Sequence, residues 1–221
     1  VEAPLNSVKI HRIVVGPFDT NCVIVEDAAS KDAIVVDPGG NSDIISERIR
    51  LLGVKPVMVV FTHGHVDHCA EGSSIASMYS IPIAMHAADL VLYENLPAQI
   101  EAFMGPAAAG RYRGAELIKP TVMLADGDTV KVGGSSARVL HLPGHTMGGI
   151  GLLFKGTPSI LVQGDTLFRD GVGRTDLFGG NWSMLLASIN EKIFVLPDDT
   201  TVVCGHGGDT TVGHEKAGFA W

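Results

Sequence analysis

The chain has 221 residues, 46% hydrophobic and 18% charged, with a formal net charge of −8. Such a chain can bury a sizeable core in one large domain or two small ones, which excludes a disordered polymer. The acidic balance argues against a general nucleic-acid or anionic-membrane surface, and no apolar run approaches the roughly 20 residues of a membrane span. Val1-Glu2-Ala3-Pro4 shows no basic-then-apolar leader pattern. Cys22, Cys69 and Cys204 are odd in number and scattered, so they read as reduced thiols of a cytoplasmic protein, not as a disulfide framework.

Residues 8–15 and 22–26 are apolar or alternating and flank the turn-forming Gly16-Pro17-Phe18-Asp19-Thr20-Asn21, which predicts a hairpin. Residues 33–36 form a strand ending at Asp37-Pro38-Gly39-Gly40. Asp37 is then either a turn former or a carboxylate supporting a site. A helix runs from Asn41 or Ser42 to about Leu52, with Ile44, Ile45, Ile49 and Leu52 near one face and Gly53 as its stop. The apolar run 56–61 reads as a buried strand and leads into Thr62-His63-Gly64-His65-Val66-Asp67-His68. In extended backbone His63 and His65 point the same way and can grip one metal ion. Asp67 and His68 are adjacent, so they diverge and can serve a second.

Residues 70–79 read as helix and 81–85 as a short strand, with His86 at the core edge. A helix over 87–96 and a helical or lid-like excursion over 97–114 follow, and no chemistry is read there. Arg111, Tyr112 and Arg113 read as a solvated charged turn rather than an anion contact. Strand signals resume at 122–124, 129–132, 137–142, 150–154 and 159–163, then a helix at 183–195 and a last strand at 201–204. There is no repeat, low-complexity tract or linker. Two halves that each begin with strands fit two sheets packed face to face with helices outside.

Three further ligand candidates end apolar runs. His145 stands in Pro143-Gly144-His145-Thr146, Asp165 in Gly164-Asp165-Thr166, and His206 in Gly205-His206-Gly207-Gly208. Glycine beside each permits close backbone approach to an ion. With the 63–68 cluster they make seven ligands, which suits two ions and one shared carboxylate.

The order H-x-H-x-D-H, P-G-H-T, G-D-T-L-F, G-H-G-G resembles that of the metallo-β-lactamase superfamily, and within it the glyoxalase II group. The resemblance runs from the hairpin at 8–26 to 205–207. It implies an α/β fold, a single-domain αββα sandwich over 1–221, with the site at one edge of both sheets. It also implies that His63, His65 and His145 hold a first divalent ion, that Asp67, His68 and His206 hold a second, and that Asp165 bridges them. Zinc is the foremost metal, with iron and manganese as alternatives. The β-lactamases carry Cys or Ser where Asp165 stands, so a carboxylate there points to hydrolases of thioesters and phosphodiesters or to iron oxygenases. Gly171-Val172-Gly173-Arg174 is similar to the loop that contacts glutathione in glyoxalase II, which implies Arg174 as a substrate contact. A salt bridge from Arg174 to Asp176 or Asp170 competes evenly with that role.

The chain departs from the group in one residue, since no tyrosine stands near Asp176. With the sequence closing at Trp221 soon after G-H-G-G, the expectation is a single domain lacking the group's C-terminal helical glutathione-binding domain. Cys204 stands where relatives often have proline. The implied activity is hydrolysis of a small-molecule thioester such as S-lactoylglutathione. Two ions lower the pKa of a bound water toward neutrality and one polarises the carbonyl, while Asp67 and Asp165 are the catalytic carboxylates. Asp37 and His141 are candidate supports behind the ligands. The same motifs resemble those of mononuclear-iron persulfide dioxygenases. An RNA-processing nuclease is disfavoured by the acidic charge, and a non-catalytic metal-binding module by the complete ligand set. No nucleic acid or membrane is expected as a partner.

Overall fold

The computed structural model describes residues 8–112 and 117–218. Arg113 lies outside the described residues, as do the side chains of Arg111 and Tyr112. Six strands form a first sheet in chain order: β1 Val8–Val15, β2 Thr20–Asp27, β3 Asp32–Val36, β4 Lys55–Val60, β5 Ile83–His86 and β6 Val122–Leu124. β1, β2 and β3 pair antiparallel, and β3 to β6 pair parallel. The second half supplies β7 Thr129–Val132, β8 Ser135–His141, β9 Ile150–Phe154 and β10 Ile160–Val162. It continues through a small ribbon of β11 Leu167–Phe168 and β12 Gly171–Val172, then β13 Thr201–Val203 and β14 Thr210–Thr211. The second sheet runs β14-β13-β10-β9-β8-β7, and among the described residues its one parallel pair is β10 with β13.

The period-2 alternation of each strand sorts the apolar residues into three layers. Between the sheets lie Val23, Val25, Ile34, Val36 and Val60 from the first, against Val130, Val139, Leu152, Phe154 and Val162 from the second. Their neighbours along the strands, Cys22, Ile24, Val35, Val59 and Phe61, face outward under helical Ile45, Ile49 and Ile75. On the far side Leu140, Leu153, Leu161 and Val202 lie under Leu185, Ile189 and Ile193. Helices cover both outer faces, which is the αββα sandwich. Because β2 and β3 are covered on both faces, they read as continuous apolar runs.

Several local expectations are corrected. The hairpin's second strand begins at Thr20, inside the predicted turn, because Asn21 is claimed by the 204–207 segment. The predicted helix 70–79 is a single turn, Val66–Cys69, and then a helix, Gly72–Tyr79. The helix predicted over 87–96 is a 3₁₀ turn, Ala87–Asp89, followed by Leu90–Glu94. That over 183–195 is Trp182–Ser188, widening into a π-helical turn over Ile189–Ile193. No helix among the described residues is long and apolar enough to cross a membrane.

Candidate metal centre

The loops after β4, β8, β10 and β13 carry His63 to His68, His145, Asp165 and His206 to one edge of the sandwich. Asp37, just past β3, fixes the first of these loops. Its carboxylate accepts from the Thr62 N–H at 2.7 Å and the Thr62 hydroxyl at 2.6 Å, and from His68 Nδ1 at 2.9 Å. Asp37 is therefore the supporting carboxylate and not a turn former alone.

All seven predicted ligands meet. His63 Nε2 lies 3.1 Å from His65 Nδ1, which lies 2.9 Å from His145 Nε2. On the other side Asp67 Oδ2 lies 3.2 Å from His206 Nε2 and 3.5 Å from His68 Nε2. Asp165 stands between these groups, 3.4 Å from both His68 and His206 and 3.7 Å from His145.

The outward ring nitrogens decide which way the lone pairs face. His145 Nδ1 donates to the Arg174 carbonyl at 2.7 Å, His206 Nδ1 to the Phe18 carbonyl at 3.0 Å, and His68 Nδ1 to Asp37. The Thr62 hydroxyl donates to Asp37, so it accepts from His63 Nδ1 at 3.1 Å. Four imidazoles thus present Nε2 to the centre, the orientation of a metal ligand held by an outer hydrogen bond. His68 Nε2 and Asp165 Oδ1 are buried without a hydrogen-bond partner. Three converging imidazole nitrogens and an orphaned carboxylate oxygen fit divalent cations.

Electrostatics divides the ring. Burial, reinforced by the other imidazoles, holds His63 well below the ordinary histidine pKa and His65 at about 3, so both are neutral donors. Burial also opposes charge on His68 and His206, but nearby carboxylates outweigh it. Asp67, Asp165 and Asp37 hold His68 well above its ordinary value, and hydrogen bonds to Asp165 and Asp67 lift His206 to about 10. Burial raises Asp165, yet His68 and His206 overcome it and keep the carboxyl well below its ordinary value. The carboxylate side of the ring thus calls for positive charge, which a divalent ion supplies.

Two residues that bind the site together were not singled out in the sequence. Asp89 is buried and accepts from the Gly64 N–H at 2.9 Å, the Thr146 hydroxyl at 2.7 Å and the Gly148 N–H at 2.6 Å, joining the two ligand loops. Gln99 accepts from the Val66 N–H at 3.1 Å and donates to the Gly64 carbonyl at 3.0 Å. Neither has a local sequence signal beyond being polar in an apolar setting. At Gly205 a side chain would strike Asp165 Oδ1, and at Gly173 the Asp165 carbonyl, so both glycines exist for close approach. His141 is corrected: its Nε2 faces the Met147 carbonyl at 2.9 Å and its ring stacks on His86 at 4.2 Å, away from the seven ligands. The Arg174 guanidinium grips Asp176 in a fork at 2.7 and 2.8 Å, as the competing reading expected, yet Arg174 also borders the cavity above the ring.

Residues 15–206 match the family described as the Metallo-beta-lactamase superfamily. An uncharacterised protein of Aquifex aeolicus is 38% identical over 209 residues, 94% of each chain. The hydroxyacylglutathione hydrolase GloC of Haemophilus influenzae is 33% identical over 208 residues, again 94% of each. A solved structure of TTHA1623 in a di-iron-bound form superposes with a TM-score of 0.77 at 30% identity, covering 93% of this chain and 96% of that one.

Proposed function

The chain belongs to the metallo-β-lactamase superfamily, and from that premise we propose that it is a dinuclear-metal hydrolase of small-molecule thioesters, with S-lactoylglutathione as the first substrate to test. The observation that carries this reading is the Asp165 carboxylate standing 3.4 Å from His68 and His206 and 3.7 Å from His145, between two ligand sets. His63, His65 and His145 would hold one ion, Asp67, His68 and His206 the other, and Asp165 both. Divalent ions there supply Lewis acidity and a water acidified toward neutrality. Zinc is the first choice, and iron is a real competitor because TTHA1623 is known in a di-iron form.

The protein's own groups set up the attack. Thr20 Oγ1 donates to Asp67 Oδ2 at 3.2 Å and fixes that carboxylate. Asp67 is then placed to orient the attacking water and accept its hydrogen bond. Water oxygen adds to the thioester carbonyl carbon, the C–S bond breaks with its electron pair going to sulfur, and the thiolate takes the proton the water gives up. The acid and the thiol leave. Arg174 would meet a carboxylate of the substrate, since an exposed ion pair with Asp176 is readily exchanged for another anion. Three buried free thiols suit a reducing, cytoplasmic setting. The relative GloC, named as a hydroxyacylglutathione hydrolase, supports the substrate class.

Elemental analysis of protein purified without chelator, with turnover of S-lactoylglutathione read from released thiol, tests the proposal. The expected outcome is close to two metal equivalents per chain and turnover that chelation abolishes and metal restores. A persistent single equivalent after reconstitution, with oxygen uptake on a persulfide, would replace the hydrolase by the dioxygenase.

A further inference from the structure

A cavity of about 250 Å³ opens over the ligand ring. Pockets that hold drug-sized ligands run to roughly 300–1,000 Å³, so this space encloses the reacting group and one short arm, not a whole glutathione conjugate. Beyond the ligands its wall is mostly apolar: Phe18, Val66, Phe103 and Leu177. Of the polar remainder, Gln99 spends its amide on the Val66 N–H and on the Gly64 and Leu92 carbonyls. Arg174, forked onto Asp176 in a largely exposed pair, offers a cation suited to a charged arm and not to a neutral one. Phe18 and Phe103 stay 40% and 49% exposed although they come from distant segments, the β1–β2 turn and the π-helical turn Ile100–Met104. Single exposed aromatics need no explanation, but two converging on one cavity do. The Phe18 backbone is held beside the ring, since its carbonyl accepts from His206 Nδ1 at 3.0 Å.

Resting on the hydrolase reading, we infer that Phe18, Phe103 and Leu177 form an apolar subsite for the acyl arm of the thioester. The preferred substrate carries an alkyl acyl group longer than lactoyl. A glutathione thioester has one charged arm and one neutral arm. Pressing the charged arm against three side chains without a donor or acceptor strips its hydration for no return, so that arm stays in solvent at the mouth, within reach of Arg174. The neutral arm gains by covering the half-exposed rings. The hydroxyl of a lactoyl group finds no partner among these three side chains.

The test is kcat/KM of the metal-loaded protein on S-lactoyl-, S-acetyl-, S-butyryl- and S-hexanoylglutathione. Values should rise by roughly three- to fourfold per added methylene until the subsite is filled. Phe18→Ala and Phe103→Ala should flatten that slope, and Phe103→Leu, which keeps apolar surface, should recover most of it. Lactoyl or acetyl turned over as well as hexanoyl, or an unchanged slope in both alanine variants, overturns the subsite and leaves the hydrolase standing. Calorimetry of hexanoate against lactate on the same metal-loaded protein separates the two ideas. Tighter hexanoate binding, lost in Phe103→Ala, supports the subsite even if no thioester is turned over, a result that would sink the hydrolase. Equal binding of the two acids counts against the subsite.

Discussion

Asp165 and Asp89 are buried carboxylates with opposite duties. Asp165 keeps an oxygen without a hydrogen-bond donor, while Asp89 accepts from three donors on two loops. Asp165→Ala should therefore lose the second metal equivalent and most turnover while the chain stays folded, read by elemental analysis beside circular dichroism. Two ions and near-normal rates in that variant would remove the bridging role. Asp89→Ala should act first on stability, because Gly64 N–H, Gly148 N–H and the Thr146 hydroxyl are left buried and unpaired. At about 1–3 kcal/mol per orphaned group the loss is about 3 kcal/mol or more, visible in a urea titration. For Arg174→Ala the expected change is a rise in KM of roughly tenfold on glutathione thioesters with kcat largely kept, and none on an uncharged thioester. Equal effects on both substrates would leave Arg174 as the partner of Asp176 only.

The elements show which parts of the chain speak locally. The strands that lead to His63, Asp165 and His206 were legible because parallel strands covered on both faces make short apolar runs with a polar residue soon after the exit. β8, which leads to His145, was legible from its alternation of buried and exposed residues. Asp89 and Gln99 were not legible: each acts on backbone brought near only by the packing of the 87–104 segment against the ligand loop. His141 was misjudged because a strand end gives position but not the direction of a side chain. The two sheets are also joined by a polar tie no pattern announces. Asp27, at the end of β2, accepts from Ser135 of β8 at 2.7 Å and from the Ser30 N–H at 2.8 Å. The Ser135 hydrogen bond, followed by those from Ser30, lowers its pKa from 3.8 to about 2. A carboxyl more acidic in the folded chain stabilises fully above its unfolded pKa and loses that contribution as pH falls through the folded one. Asp27→Asn should accordingly melt below wild type at neutral pH, with the gap closing between about pH 4 and pH 2. A gap independent of pH would mean that shape, not charge, sets the tie.

At the scale of the molecule, the ring draws its seven candidate ligands from both sheets. His63, His65, Asp67 and His68 follow β4 of the first, with Asp37 after β3 supporting them, and His145, Asp165 and His206 follow strands of the second. An ion held by both halves binds the folded chain and not the unfolded one, so it stabilises by RT ln(1 + [L]/Kd). With free metal at 100 times Kd this is about 2.7 kcal/mol for one site. For a chain of this size each kcal/mol is worth roughly 2–4 °C in Tm, so chelation of one such site should lower Tm by roughly 5–11 °C. Two occupied sites should lower it further, and less in Asp165→Ala, which has already lost one. The metal-free ring also contains His206, lifted to about 10 by Asp165 and Asp67, and His68, raised by Asp67, Asp165 and Asp37. Loading must displace those protons, so the metal-dependent part of Tm should grow as pH rises from 6 to 8. Differential scanning calorimetry with and without chelator, at both pH values, reads both effects. An identical Tm in the two states would show that the ring is preorganised by Asp37, Asp89 and Gln99 alone and that ions add nothing to the cohesion of the sandwich.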